Sequence, residues 1–160
     1  DLIKKELSKY KIKADYKDNI ELSENIKNLN KQLELIKIQN IIKDKNKNVI
    51  KDKKMGSFTL RHQVLTDFPP KKLRDIVDQS KKDIKEGIVV GFSTFEGKVG
   101  VAVGVTNELT KKYDAVMLVK IASEVLGGKG GGGRKDFAQA GGTNKDKIEE
   151  AFKTLSKKIN

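Results

Sequence analysis

The spacing of apolar residues changes near residue 55, and this change divides the chain into two parts. Before it, Leu22, Ile26, Leu29, Leu33 and Ile36 recur at alternating spacings of four and three residues. This is the heptad pattern of a helix that buries one seam. We therefore predict a helical, coiled-coil-like arm over residues 1–54, in which the charged stretch 43–54 is a connector.

The seam has two candidate partners. An earlier apolar stripe, in a heptad frame shifted from that of the seam, consists of Ile3, Leu7, Tyr10 and Ala14. The break between the two frames, near residues 15–19, predicts a bend or a helical hairpin. Further apolar residues widen the seam beyond a strict dimer seam, namely Leu35, Ile38, Ile41 and Ile42. The seam thus packs against a second helix of its own chain or joins two copies into a homodimer.

From residue 55 onward, runs that alternate in the manner of strands are interspersed with helical spacing. The predicted elements are a strand over 56–65, a helix from Pro69–Pro70 to Gly87, strands over 88–95 and 98–106 that turn at Glu96–Gly97, and helices over 115–126 and 145–158. Gly100, Ala102 and Gly104 share one side of their strand, where small residues predict the close approach of a helix. We assign the chain to the α/β class, with the helical arm followed over 55–160 by a small globular domain that has a mixed sheet and a glycine-rich loop.

The charge balance favours an anionic partner. The 160 residues include 34 Lys and Arg against 22 Asp and Glu, a formal net charge of +12, and such an excess suits a polyanion. Most of these cations are Lys, so a lysine-coated surface without a binding role is the alternative. Arg61, Arg74 and Arg134 are more informative, because a guanidinium contacts phosphates and base edges with two N–H groups at once.

Residue counts exclude several kinds of catalytic site. Without Cys the chain has no disulfide, no thiolate nucleophile and no thiolate-ligated metal. Its single histidine, His62, has no Ser, Cys or paired carboxylate near it in sequence, which favours a partly buried strand histidine over a catalytic one. No apolar stretch approaches the roughly 18 residues of a membrane span. We expect a soluble, cytoplasmic piece of a longer protein with no catalytic residue and no metal site.

The most informative segment is GGKGGGGRKDFAQAGG, residues 127–142, which contains eight glycines. No Gly-Lys is followed by Ser or Thr, so it is not a P-loop, and its glycines follow a helix, unlike those of a dinucleotide fingerprint. Glycine backbone beside Lys129, Arg134 and Lys135 suits an anionic, phosphate-rich ligand. A flexible linker is the alternative, although linkers rarely contain such an embedded charged and aromatic run.

This segment closely resembles the glycine-rich signature of the DHH-associated C-terminal domain of alanyl-tRNA synthetases, often called C-Ala. The flanks agree, since in that family a helical arm stands upstream, a strand–helix–hairpin–helix order precedes the glycines, and one short helix follows. The chain departs from the usual pattern in having four consecutive glycines at 130–133 in place of three, and Lys135 in place of Pro.

The resemblance implies a non-catalytic domain of a larger ligase. The parent enzyme attaches alanine to its tRNA with ATP and Mg, and a zinc-bearing domain edits mischarged tRNA; both activities lie upstream of the C-terminal domain. That domain grips the tRNA elbow, where the D and TΨC loops meet, couples aminoacylation with editing, and in some members dimerises. The expected partners are tRNA, the rest of the synthetase and a second copy, with no membrane and no cofactor in this piece.

Residues that we expect to contact RNA lie in the glycine segment and at the other two arginines. They are Lys129, Gly131, Gly132, Arg134, Lys135 and Gln139, followed by Arg61 and Arg74. One rival is the nucleic-acid-binding domain of a DHH phosphoesterase, whose separate metal domain needs an Asp-His-His run that this chain lacks. The other rival is a structural module that only dimerises its parent.

Overall fold

The computed structural model describes residues 19–159. The chain forms two compact units, and the boundary between the first and the second lies between Asn40 and Ile41. Helix α1 runs from Asn19 to Lys43, which confirms the helix predicted from the heptad spacing. The earlier apolar stripe and the predicted bend before α1 lie outside the described residues; the stripe is Ile3, Leu7, Tyr10 and Ala14.

The seam residues of α1 are largely exposed within the described part of the chain. Ile26, Leu33 and Ile36 expose 40%, 53% and 52% of their surface, and Leu22 and Leu29 are half-buried. Exposed apolar side chains at heptad spacing are suited to a helical partner. The partner of the seam stays a prediction.

A six-stranded mixed sheet forms the centre of the second unit; the sequence predicts a mixed sheet and three of these strands, β2, β3 and β4. Its strands are β1 (Asn48–Met55), β2 (Phe58–Thr66), β3 (Gly87–Phe95), β4 (Lys98–Val105), β5 (Gly131–Arg134) and β6 (Phe137–Gly142). Their order across the sheet is β1-β2-β3-β4-β6-β5. Only the β2–β3 pair is parallel among these strands, because the helix between β2 and β3 returns the chain to the same end of the sheet.

Strand β1 lies within the stretch predicted to be a connector. It pairs antiparallel with β2, from Asn48 opposite Leu65 to Met55 opposite Phe58. The connector prediction is therefore wrong for residues 48–54. β1 is an edge strand whose side chains are mostly exposed on both faces, so backbone pairing holds it in place and no apolar alternation marks it in the sequence.

Helices cover the two faces of the sheet unequally. Helix α2 (Leu73–Ile84) packs on one face, and helices α3 (Ala115–Val125) and α4 (Ile148–Lys158) lie on the other. We call these the α2 face and the α3/α4 face. The main core lies on the α3/α4 face and includes Leu60, Val90, Phe92, Val101, Val103, Val119, Ala122 and Leu155.

The small side of β4 allows α2 to approach closely. A Cβ added at Gly104 would lie 2.5 Å from Val77 Cγ1, and one at Gly100 would lie 2.8 Å from Cβ of Pro70, which precedes α2. Side chains alternate between the faces of a strand, so Gly100, Ala102 and Gly104 all lie on the α2 face. This confirms the predicted contact between a helix and the small residues.

The prediction that Gly87 ends α2 is wrong. The helix ends at Ile84, and Lys85 follows with φ +63° and ψ −61° while Glu86 N–H donates to the Ile84 carbonyl at 2.8 Å. This is a γ-turn with a positive central φ, the rarer and more strained kind. Gly87 instead opens β3, where an added Cβ would collide with the Thr59 carbonyl of the paired strand.

A series of hydrogen bonds between buried side chains connects α2 with the Ile42 carbonyl, within the second unit. Ser80 Oγ donates to Gln63 Oε1 at 2.7 Å, Gln63 Nε2 donates to Asn48 Oδ1 at 3.0 Å, and Asn48 Nδ2 donates to the Ile42 carbonyl at 2.9 Å. The three side chains come from residues that are at most 5% exposed. Buried polar groups need partners inside the protein, so these hydrogen bonds fix the register of β1 against β2.

Candidate nucleic-acid interface

The glycine segment forms a β-hairpin, so the prediction of a loop is wrong for most of it. Gly127 follows α3 with φ +75°, the left-handed conformation expected of a residue just past a helix. Strands β5 and β6 then pair antiparallel, with Arg134 opposite Phe137 and Gly132 opposite Gln139. A strand pattern built from glycine and alanine has no hydrophobic alternation, which is why the sequence did not reveal it.

The two faces of this hairpin have different surroundings. Ala138 and Ala140 belong to the core beneath α3, so Phe137, Gln139 and Gly141 lie on the α2 face. Directly paired residues share a face, which places Arg134 and Gly132 there too. The sequence-predicted residues Gly132, Arg134 and Gln139 are thus brought together on one surface.

Most glycines of the segment are needed for packing against the protein itself. An added Cβ would collide with Gly141 O at Gly128, lie 2.5 Å from Ala140 Cβ at Gly131, and approach Ala138 closely at Gly133, where φ is also +152°. Gly131 therefore turns toward the core side, and the expectation that it contacts RNA through the open face is not supported.

A buried serine holds the segment in this position. Ser123 of α3 is fully buried, and its Oγ lies 3.0 Å from the Gly141 carbonyl and 3.3 Å from the Gly130 carbonyl. The single hydroxyl hydrogen is shared between these two carbonyls, which lie at the start of β5 and the end of β6, at the open end of the hairpin. Ser123 was not predicted as a site residue, and a lone Ser in an apolar helix was the only signal for it.

Gly132, Gln139 and Gly141 leave an open surface, which we call the glycine platform. All three are exposed. A Cβ at Gly132 would have no atom within 4 Å, and one at Gly141 would have only Val99 O, at 3.6 Å. Neither glycine has a positive φ, so the backbone does not require glycine at either position. The absence of side chains here keeps a flat face accessible to a ligand.

Several cations lie near the glycine platform, most of them at the turn of the hairpin. The Arg134 side chain is 69% exposed, and its Nε lies 3.2 Å from Asp136 Oδ1. Lys129 and Lys135 are exposed. The turn that carries Lys135 is held firmly, because its carbonyl accepts a hydrogen bond from Ala115 N–H at 3.0 Å.

Helix α2 adds two further cations to this edge. Arg74 stands over the Phe137 ring, with Cζ 5.2 Å from the ring centroid, and its Nε lies 3.7 Å from Asp78 Oδ2. Lys81 Nζ donates to the Asp136 carbonyl at 3.3 Å. A guanidinium over an aromatic face is attracted by the ring quadrupole, so Phe137, which is 7% exposed, orients Arg74. Lys81 was not among the predicted site residues, although its seven-residue spacing from Arg74 indicates the same side of the helix.

The family model of the DHHA1 domain matches residues 59–160. The chain belongs to the DHHA1 domain family. The match includes the glycine hairpin, α2 and both helices of the α3/α4 face, and it excludes α1 and β1. Residues of the DHHA1 domain therefore supply every group of the glycine platform and the cations around it.

Similar proteins agree with the resemblance drawn from the glycine segment. Alanine–tRNA ligase of Hyphomonas neptunium is 52% identical over 85 residues, and that of Bradyrhizobium diazoefficiens is 45% identical over 107 residues. These matches cover 53% and 66% of this chain but 10% and 12% of the relatives. The chain thus spans about a tenth of the length of the curated ligases that it matches.

Solved structures show the same fold. The C-Ala domain of Aquifex aeolicus alanyl-tRNA synthetase is 35% identical, with a TM-score of 0.64 over 68% of this chain and 97% of that one. A DHH domain from a member of a family of ribosomal proteins is 16% identical, with a TM-score of 0.53 over 80% of this chain and 30% of that one. The second likeness concerns the fold alone.

Arg61 lies away from the platform, on β2 of the DHHA1 domain. Its Nε and Nη2 donate to the two carboxylate oxygens of Asp52 at 2.8 Å, and its Nη1 lies 3.4 Å from Asp83 Oδ2. The hydrogen bonds to Asp52 raise the pKa of Arg61, and Arg61 in turn lowers the pKa of Asp52. The Arg61 side chain is 12% exposed, so we remove it from the candidate RNA contacts.

His62 is a buried strand histidine, as the sequence predicts. It is 3% exposed, stacks on Phe152 at 4.0 Å between ring centroids, and meets Phe92 edge-on at 5.6 Å. Burial lowers the pKa of His62, which favours the neutral ring. Within residues 19–159, no group of three or more His, Asp or Glu side chains is placed to hold a metal ion. In the same range no helix is both long and apolar enough to cross a membrane.

Proposed function

We propose that this chain is a C-terminal portion of an alanine–tRNA ligase and that its DHHA1 domain binds tRNA through the glycine platform. The observation that carries the proposal is an exposed, side-chain-poor face with Arg74, Arg134 and Lys135 at its turn end. The ligases named above and the C-Ala structure support the assignment to that enzyme.

The chemistry of the platform suits a folded RNA. Proteins recognise unpaired or terminal bases largely by stacking, and flat surfaces accept any base. Asp136 orients the guanidinium of Arg134, and Asp78 and Phe137 orient that of Arg74. An oriented guanidinium forms two parallel hydrogen bonds to a phosphate. A base stacks over Gly132 while the arginines bind the adjoining backbone.

We infer that the bound part of the tRNA is the elbow, where the D and TΨC loops meet. Its corner presents a stacked base pair and two closely spaced phosphate backbones, which matches a flat face between cations. Holding the elbow keeps one tRNA bound while its acceptor end moves between the aminoacylation and editing sites of the parent. In this cytoplasmic enzyme, ATP, Mg and zinc bind to the upstream domains. The DHHA1 domain itself binds no cofactor and catalyses no step.

Binding of two RNAs tests this assignment. Labelled whole tRNA and an acceptor-stem hairpin without the elbow are titrated with the full chain over a series of salt concentrations. We expect whole tRNA to bind at least tenfold more tightly and with a steeper dependence on salt, because only it reaches the platform and its cations. Equal affinity for the two RNAs contradicts elbow binding, and no binding to either contradicts the proposed function.

A DHH phosphoesterase domain is the rival with a structural neighbour of the same fold. It predicts a preference for single-stranded nucleic acid or a nucleotide over whole tRNA. Adding a single-stranded RNA of equal length to the titration separates the two assignments.

Self-association is a second role that the exposed seam of α1 favours. Ile26, Leu33 and Ile36 are each at least 40% exposed, which suits packing against another helix. Sedimentation equilibrium of the chain, compared with a chain carrying Leu33→Lys and Ile36→Lys, tests this role. A monomer at all concentrations in the unmodified chain contradicts dimerisation.

A further inference from the structure

A groove at the C-terminal end of α2 continues the charged surface beyond the glycine platform. It has a volume of about 830 Å³, and its charged lining residues are Asp78, Lys81, Lys82, Lys85, Glu86 and Glu108. Lys81 belongs both to the groove and to the contact with the Asp136 carbonyl at the tip of the glycine hairpin. The two surfaces therefore join at Lys81.

The groove retains an excess of positive charge. Asp78 lies within 3.7 Å of Arg74, and Glu108 pairs with Lys111 at 2.8 Å, which also lowers the pKa of Glu108. In the described structure this leaves three lysines beside a single carboxylate without an ion pair of its own, Glu86. Counted with the ion-pair partners Arg74 and Lys111, the charged residues at the groove are five cations and three carboxylates, so the local potential is positive.

Lys85 is in a conformation that lysine seldom adopts. Its φ of +63° and ψ of −61° form the centre of the γ-turn that ends α2, a position for which glycine or asparagine is the usual choice. Lysines at the end of a helix also favour the negative end of its dipole, which accounts for Lys81 and Lys82 in the last turn. It does not account for Lys85, which lies beyond the helix and places strain in the backbone.

We propose that this groove is a second phosphate-binding surface, on which Lys82 and Lys85 bind the backbone of the same RNA that the glycine platform holds. This extends the proposed function and rests on it. From Arg74 to Lys85 the surface is about 16 Å long at 1.5 Å per residue, enough for several phosphates of one strand. The strain at Lys85 is retained because the side chain at that position binds RNA.

Variants of the full chain test the groove, each titrated with whole tRNA over a salt series. The double variant Lys82→Ala with Lys85→Ala reduces the slope of log K against log salt by about 0.7–0.9 for each phosphate that is no longer neutralised. Lys153→Ala, an exposed lysine of α4 on the other side of the sheet, is the matched control and leaves the slope unchanged. An unchanged slope in the double variant overturns the proposal.

Lys85→Gly distinguishes an RNA contact from a structural role. Glycine adopts a positive φ without strain, so the Tm of this variant rises while its affinity for tRNA falls several-fold. Lys85→Arg keeps the charge and restores the affinity. A Lys85→Gly variant that is more stable and binds normally overturns the proposal. Arg134→Ala is measured alongside: if it weakens binding and the lysine variants do not, the groove is rejected and the platform stands.

Discussion

Two sets of small residues lie on the same face of the sheet, and one set is buried whereas the other is exposed. On β4, Gly100 and Gly104 are covered, and each would place a Cβ within 2.8 Å of the α2 region. On the glycine hairpin, Gly132 and Gly141 are exposed; a Cβ would have no protein atom within 4 Å at Gly132 and only Val99 O, at 3.6 Å, at Gly141. The comparison shows that glycine in a strand creates room, and that the neighbouring element decides whether a helix or a ligand uses it.

The width of one helix explains the difference. A helix with its side chains is about 10–12 Å across, and strands lie about 4.8 Å apart, so one helix covers two or three strands. Helix α2 buries Leu73, Ile76 and Val77 and packs chiefly on β3 and β4. It reaches the β5–β6 hairpin through Arg74, which stands over Phe137, and through Lys81, which donates to the Asp136 carbonyl in the turn. Gly132, Gln139 and Gly141 stay exposed on that face.

The covered glycines are the ones that stability depends on. Gly104→Leu forces a large side chain against Val77 Cγ1 and Lys81, and we expect a decrease of about 1–3 kcal/mol in the free energy of unfolding. Urea denaturation followed by circular dichroism measures the decrease. A variant as stable as the unmodified chain would mean that α2 does not pack on β4 as described.

The open glycines should show the reverse behaviour. Gly132→Glu changes the free energy of unfolding by no more than about 0.5 kcal/mol, because a Cβ at this exposed position has no protein atom within 4 Å. It weakens tRNA binding at least tenfold, through bulk on the platform and repulsion of phosphate. Gly132→Ala is the control without the charge and should have a smaller effect. If Gly132→Glu binds tRNA normally, the platform is not the binding surface.

The two arginines sharpen the same contrast. We expect Arg134→Ala to reduce the salt slope of tRNA binding by about 0.7–0.9 and to leave the fold intact, since its side chain is 69% exposed. Arg61→Ala removes both bonds to Asp52 and costs about 1 kcal/mol of stability without changing the slope. Binding titrations and thermal melts of both variants check this, and exchanged outcomes would refute the assignment.

The smallest effect concerns the covered α3/α4 face, where His62 is buried. Its pKa in the native state is below 6.5 because of desolvation, with Glu149 raising it and Lys51 lowering it by smaller amounts. Stability from the neutral ring is complete above pH 6.5 and declines as the pH falls toward the native pKa, since the unfolded chain then binds a proton that the native chain excludes. Urea denaturation at pH 7.5 and 5.5 measures the free energy of unfolding of the unmodified chain and of the His62→Gln variant. The advantage in stability of the unmodified chain over the variant should be smaller at pH 5.5. An advantage that is equal at both values contradicts the burial of His62.

Periodicity predicted the elements that bury one apolar side. Helix α1, the β3–β4 hairpin and the small residues beneath α2 were all visible in the sequence, because alternation and helical spacing record which side faces a core. β1 and the β5–β6 hairpin were not visible. The first is held by backbone pairing among exposed lysines, and the second has too few large side chains to show a period.

The candidate site was predicted in part. The glycine segment and Arg134 were found because glycine density and a guanidinium are chemical signals within one stretch of sequence. The inward direction of Gly131, the role of Ser123 and the position of Lys81 depend on contacts between distant residues, which no local pattern encodes. The ion pairs of Arg61 with Asp52 and Asp83 were not visible in the sequence, because these partners are brought to it only by the fold.

The lysines of β1 have a consequence for the interpretation of net charge. β1 is the outermost strand, and Lys51, Lys53 and Lys54 are exposed along it. Lysine on such a strand discourages unwanted edge-to-edge aggregation of sheets. This portion of the basic surface opposes pairing between sheet edges of two copies. If it takes no part in the proposed RNA binding, the number of ions released on that binding should be well below the excess of +12.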